Sequence, residues 1–233
     1  MGLDSVELLL EVEKAFDIEI PDQEAALIMT VGDFHNAIWK HLYGKHSDKC
    51  QSQKFFYQLR RSFIDSFQFP KANFKLSTSL NDIFPENNRR QAYLKFANTL
   101  NVELPRLVLP KSWALFLNII AVITIVGGLG LSVILINYLD YSKWTLLFSV
   151  IGIGITYLTS KILDAKRTVI EPSTVREFTQ KTLSINYSAM IKENGVNKKD
   201  VESVINYIIA DKSGLELDEI TPEKKIGDDL GIS

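Results

Sequence analysis

Ser5 is the residue best placed for covalent chemistry in this chain. It follows Asp4 and precedes an apolar, acidic run, Val6-Glu7-Leu8-Leu9-Leu10-Glu11. Asp4 and Ser5 are both good helix caps and Glu7 adds charge in the first turn, so a helix is expected to start here. A phosphodiester on the Ser5 oxygen would lie near N–H groups that a first helical turn leaves unpaired, a setting that favours anions. The surroundings are acidic. Residues 1–24 hold eight acids against one base, Lys14, although the whole chain carries a net charge of only −2. A block of this kind steers partners that have basic patches, and Glu7, Glu11 and Glu13 are its expected docking positions. An ordinary capped, solvated acidic helix, with Ser5 only a cap, fits the same residues.

The other reactive side chains form no recognisable centre. His35, His41 and His46 fall close together in sequence without an evident Ser or Cys partner, and no paired acid and base flanks a nucleophile. His41, His46 and Cys50 match no standard zinc spacing, so no metal site is expected. Cys50 is the single cysteine, which leaves no intrachain disulfide and suits a reducing compartment. The N-terminus is acidic and amphipathic, unlike a cleavable signal peptide.

The elements that would position Ser5 are helical. Residues 5–17 form the first helix, with Val6, Leu9, Leu10, Ala15 and Phe16 as its apolar side. Pro21-Asp22 starts a short turn, and Thr30 with Asp33 caps the next helix, whose stripe is Phe34, Ala37, Ile38 and Leu42. About 43 residues are too few for a secure core of their own.

These motifs closely resemble the second half of an acyl carrier protein. That family reads Gly-x-Asp-Ser-(Leu or Val), then an acidic helix, then a Phe, Ile-x-Ile-Pro-Asp segment and Thr-Val-x-Asp. Here the pattern stands as Gly2-Leu3-Asp4-Ser5-Val6, Phe16-Asp17-Ile18-Glu19-Ile20-Pro21-Asp22 and Thr30-Val31-Gly32-Asp33, over residues 1 to about 43. The resemblance implies that Ser5, preceded by Asp4, carries covalent 4′-phosphopantetheine derived from coenzyme A. A phosphopantetheinyl transferase would add it, and acyl-loading or acyl-transferring enzymes would be the further partners. The family's first helix is missing ahead of Ser5. Residues 201–233 resemble that first half: a stripe of Val201, Val204, Ile205, Ile208 and Ile209, a Gly214 stop, Ile220-Thr221-Pro222, then Asp228-Asp229-Leu230-Gly231. Either the two segments complete one carrier domain in permuted order, residues 201–214 packing on 5–16 and 33–42 within one chain or between two, or each is a remnant. Ser233 lacks a preceding aspartate and is a poor second attachment site.

Between the two segments the chain changes character twice. Residues 47–111 read as a helical linker domain, with a Phe55, Leu59, Phe63, Phe67 stripe ended by Pro70, a short turn around Leu80–Phe84, and a helix from Arg89 to Leu100. Its scattered basic residues, Arg60, Arg61, Arg89, Arg90 and Lys95 among them, suit solvent or anionic lipid headgroups and match no nucleic-acid motif. Residues 112–163 form a two-span hairpin: 112–139 and 144–160 carry no charged side chain. At about 1.5 Å per residue the first run is ample for a bilayer core of roughly 30 Å. Arg106 and Lys111 precede the hairpin and Lys161, Lys166 and Arg167 follow it, so both termini are expected to be cytoplasmic. Residues 164–200 read as a helical connector. Thr174-Val175-Arg176-Glu177-Phe178 echoes Thr30-Val31-Gly32-Asp33-Phe34, read here as a shared helix-start signal.

The expectation is an all-α, multi-pass membrane protein made of carrier-like bundle halves and a transmembrane hairpin, not an enzyme. It would hold acyl groups as thioesters beside the lipid bilayer, for fatty acid or related acyl metabolism, and would not bind nucleic acid. The competing expectation is a non-catalytic membrane interaction protein that keeps the carrier-like fold without the arm. An added phosphopantetheine mass lost in Ser5→Ala separates the two.

Overall fold

A computed structural model describes residues 3–45, 47 and 50–232. The fold is all-α. Its α-helices are α1 Leu3–Phe16, α2 Asp22–Ala25, α3 Val31–Leu42, α4 Gln51–Phe67, α5 Leu80–Ile83, α6 Arg89–Leu100, α7 Lys111–Ala121, α8 Gly127–Leu139, α9 Leu147–Ile162, α10 Val175–Asn194 and α11 Lys198–Ser213. Among the described residues there is no strand, only isolated bridges between loops. The chain divides into two compact units, Met1–Pro105 with Pro172–Ser233, and Arg106–Glu171.

In the first unit α11 packs against both α1 and α3. All five residues of its expected stripe are buried, Val201 and Ile205 completely. The C-terminal loop completes the contact. Thr30 bridges Lys225, the Val31 N–H donates to Lys224 O at 3.0 Å, and the Gly32 N–H donates to Pro222 O at 2.8 Å. Gly32 is required at that crossing, because a Cβ would stand 3.0 Å from the same carbonyl oxygen. The N-terminal helices are thus covered by the C-terminal helix of their own chain.

The buried side of α1 differs from the expectation. Val6 and Leu10 are exposed, and the core face is Ser5, Leu8, Val12, Ala15 and Phe16. Asp4 and Ser5 lie inside the first turn of α1 and do not precede it. Asp17, at φ 54°, ends the helix, and the Ile18 N–H turns back to Glu13 O at 3.1 Å. The Thr30–Asp33 capping box forms in full.

The rest of the first unit is built on aromatic rings. Phe63 of α4 stacks on Phe96 of α6 at 4.4 Å and meets Phe84 at 5.6 Å and Phe178 of α10 at 5.8 Å. α10 runs through 20 residues of the expected 164–200 connector, and Ile185 on it is exposed. Its C-terminal half turns Tyr187 onto Phe16 of α1, ring centroids 5.3 Å apart.

The second unit contains two helices long and apolar enough to cross a membrane, Lys111–Leu139 and Lys143–Lys166. They touch through small residues. A Cβ at Gly152 would come within 2.5 Å of Thr124 O, and one at Gly128 within 3.1 Å of the Phe148 carbonyl. Thr124 sits in a π-helical turn, Val122–Val126, and its hydroxyl donates to Ile120 O at 2.8 Å. Ser132, fully buried, donates to Gly128 O and Thr145 O. These hydroxyls satisfy themselves on backbone carbonyls, as a span without water requires. Gly127, Gly130 and Gly154 meet nothing within 4 Å, so of the five glycines on these helices Gly128 and Gly152 make the contact.

Candidate functional site

The first turn of α1 brings Asp4, Ser5 and Glu7 together for purely local reasons: they are neighbours on a helix whose exit is fixed by Asp17 and whose back is covered by α11. Asp4 is exposed, while Ser5 is only 8% exposed. Ser5 therefore stands at the anion-favouring end of the helix, on its inner side.

The acidic surface beside it is partly answered from within. Lys212, in the last turn of α11, reaches Glu7 Oε1 at 2.8 Å and Glu11 Oε2 at 3.3 Å. The hydrogen bond to Glu7, opposed by desolvation and reinforced by Glu11, holds the Lys212 ammonium above its ordinary value. Glu13 does a different job: its Oε1 accepts the Ile20 N–H at 2.6 Å and pins the loop below α1. The expected docking acids are thus two surface carboxylates sharing one lysine and one loop anchor. Lys212 escapes sequence reasoning because a single base at a helix C-terminus is ordinary; its only signal is that it comes from the segment expected to pack on the acidic block.

The histidines do separate work. His35 is buried on α3, and its Nε2 pairs with Asn206 Oδ1 of α11 at 2.7 Å. Desolvation pushes its pKa down. His41 Nε2 pairs with Glu24 Oε2 at 2.9 Å, and Lys40 meets the other oxygen at 3.1 Å. That pairing, His41 first, lowers the Glu24 pKa. His46 lies outside the described residues. The Cys50 thiol and the N-terminus of α4 face Asp200, whose carboxylate accepts from Cys50 Sγ at 3.3 Å, from the Gln51 N–H at 2.6 Å and from the Ser52 hydroxyl. Asp200 is 2% exposed and acts as a cap lent by α11 to α4. Among the described residues no three His, Cys, Asp or Glu side chains group as a metal site.

A cleft of about 340 Å³ lies elsewhere in the unit, lined by Gln51, Phe55, Leu100, Asn101 and Met190 among others, and Ser5 is not part of its wall.

No family model matches the chain, and no solved structure matches it. Curated relatives do, and two of them show what is shared. An acyl carrier protein of Clostridium acetobutylicum is 51% identical over 40 residues, 17% of this chain and 52% of that protein. An acyl carrier protein of Prochlorococcus marinus is 64% identical over 32 residues, 14% of this chain and 40% of that protein. The chain spans about half or less of the length of these relatives. It thus contains a segment similar to acyl carrier proteins, folded here into a helical bundle with its own C-terminal helix.

Proposed function

We propose that this protein is an acyl carrier held at a membrane, with 4′-phosphopantetheine attached to Ser5. The observation that carries the reading is the closure of one helical bundle by α1, α3, α11 and the 220–232 loop. It gives the carrier-like segment the covering helix it otherwise lacks. The residues fit the group in position and charge: a serine hydroxyl in the first turn of a helix, an exposed Asp4 before it, and N–H groups to receive the phosphodiester. The group supplies a thiol on which an acyl chain is held as a thioester. The chain's own residues attach, present and dock; no reaction is assigned to them. Because Ser5 is 8% exposed, loading requires the first turn of α1 to open toward the transferase.

The partners are a phosphopantetheinyl transferase and enzymes that load or remove acyl groups, approaching the acidic face at Glu7 and Glu11. The two long apolar helices anchor the carrier, with both ends of the chain on the cytoplasmic side, and keep its cargo beside lipid-handling enzymes. Intact mass after co-expression with a transferase tests this. One added arm, absent in Ser5→Ala, is the expected result; an unmodified wild-type chain overturns it.

The burial of Ser5 favours one other reading, a membrane interaction protein that keeps the carrier-like bundle without the arm. It predicts no added mass and an unchanged docking surface in Ser5→Ala.

A further inference from the structure

We propose that α4, α5, α6 and α10 are a second carrier-like bundle, a copy of the first that cannot be loaded because Arg89 stands where the first has Ser5. The two bundles repeat one set of contacts in one register. In the first, Thr30 bridges Lys225, with N–H bonds from Val31 to Lys224 O, Gly32 to Pro222 O and Ile226 to Met29 O at 2.8–3.0 Å. In the second, Thr174 bridges Ser79, with N–H bonds from Val175 to Thr78 O, Arg176 to Leu76 O and Leu80 to Ser173 O at 2.9–3.0 Å. Every step along both loops is the same. The caps match too: Thr30 Oγ1 accepts from the Asp33 N–H and Thr174 Oγ1 from the Glu177 N–H.

The helices before those loops correspond in the same way. α11 ends at Gly214, φ 70°, and α4 at Gln68, φ 51°; each is followed after two residues by a 3₁₀ turn, Leu217–Glu219 and Lys71–Asn73, and then by a buried residue, Ile220 and Phe74. Val201, Ile205 and Ile209 fall on Phe55, Leu59 and Phe63, all buried. α1 ends at Asp17 and α6 at Asn101, both at φ 54°. Asp17-Ile18-Glu19-Ile20-Pro21 there corresponds to Asn101-Val102-Glu103-Leu104-Pro105. An αL residue that is not glycine costs energy unless its surroundings hold it, so its recurrence at the same point of two helices is a shared design and not a chance turn. The five-residue echo at Thr174 is therefore more than a helix-start signal: it marks the same helix of the second copy.

Two differences define what the copy does. Between Pro21 and Thr30 the first bundle has α2; between Pro105 and Thr174 the second has the two long apolar helices, so the membrane hairpin is an insertion at the α2 position. Asp4, Ser5, Glu7 and Glu11 of α1 are answered by Asn88, just before α6, and by Arg89, Gln91 and Lys95 on it. The hydroxyl and the acids are gone and the face is cationic. A transferase that docks on an acidic helix is repelled here. The second copy is a serine-free module that carries the hairpin, while the first carries the cargo.

The assignment of a loadable first copy rests on the function proposed above, so the experiment keeps the two apart. The full-length chain carrying Ser5→Ala is compared with the same chain carrying also Asn88→Asp, Arg89→Ser, Arg90→Val and Gln91→Glu, each incubated with coenzyme A and a transferase. The expected result is no arm on the first and one arm per chain on the second, mapped to residue 89. A grafted chain that keeps wild-type amide protection and takes no arm, while wild type is loaded, overturns the second copy as a carrier module. If wild type itself takes no arm, the attachment reading falls. The duplication is then decided by hydrogen exchange in the unaltered protein, as it is if the graft does not fold. Slow exchange at Leu80, Val175 and Arg176 comparable with Ile226, Val31 and Gly32 supports it; free exchange at the first three alone overturns it.

Discussion

Lys212 Nζ lies 2.8 Å from Glu7 Oε1, so the helix that closes the carrier-like bundle also neutralises part of the face a partner would dock on. Removing the lysine should therefore separate stability from docking. Lys212→Ala should change stability by less than about 1 kcal/mol, the range of surface ion pairs. The freed Glu7 and Glu11 should raise the rate of arm loading at low ionic strength and steepen its fall with salt. Glu7→Lys with Glu11→Lys should slow loading. A loading rate indifferent to both variants and to salt would remove electrostatic docking from the account.

The closing helix should dominate stability. Ile205 and Ile209 are fully buried between α1 and α3. Ile205→Ala should cost about 2–5 kcal/mol, as deleting buried methyls without collapse of the site does. The loss should appear as faster hydrogen exchange across residues 8–16, on the other side of the same core. Unchanged protection there would mean that α11 is not what covers α1.

Much of this bundle is legible in the sequence because its boundaries are chemical. Gly214 stops α11, Thr30 and Asp33 open α3, and Pro105 and Pro110 bracket the approach to the first long apolar helix. The face of α1 is not legible. Leu8-Leu9-Leu10 offers three apolar positions in a row, and helical periodicity alone does not choose among them; the positions of α10 and α11 select Leu8 with Val12, which also turns Ser5 inward. The length of α10 is hidden for another reason. Thr179 and Thr182 are buried, yet read as surface residues, because each hydroxyl donates to the carbonyl four residues back, at 2.7 and 2.6 Å. The second copy is masked by the apolar insertion that separates its last helix from the others.

Stability should fall as pH drops through the ordinary histidine range. Burial lowers the folded pKa of His35, against which the Asn206 bond and nearby Glu202 act weakly, with Lys198 acting alongside burial. The unfolded chain then takes up a proton at a higher pH than the folded one, so folding loses stability as pH falls below about 6.5 toward the depressed folded value. The lowered pKa values of Asp33 and Glu177 act in the same direction only at more acid pH, below the unfolded carboxylate value of about 4. His35→Gln, which keeps a donor for Asn206, should flatten the melting temperature between pH 7 and 5.5. Parallel pH profiles for wild type and variant would assign the dependence to another group.

The hairpin offers a matched pair of glycines. Gly152 and Gly154 lie two residues apart on α9, but a Cβ at Gly152 would stand 2.5 Å from Thr124 O and one at Gly154 meets nothing. Backbone cannot yield as a side-chain end can, so Gly152→Val must separate the helices or unwind the π-helical turn at Thr124, whereas Gly154→Val only adds apolar surface. Overpacking of this kind costs typically 1–3 kcal/mol. The readout is disulfide formation between cysteines placed at Thr124 and Thr156, in a Cys50→Ser background in membranes, since the two hydroxyl oxygens lie 3.3 Å apart across the two helices. Gly152→Val should suppress the cross-link and Gly154→Val should leave it. The same cysteine-free background carries Ser47→Cys or Ser142→Cys singly to test orientation: an impermeant reagent should reach position 47 from the cytoplasmic side and position 142 from the other. Equal suppression by both valines would place the helix contact elsewhere, and labelling of position 142 from the cytoplasmic side alone would overturn the hairpin's orientation.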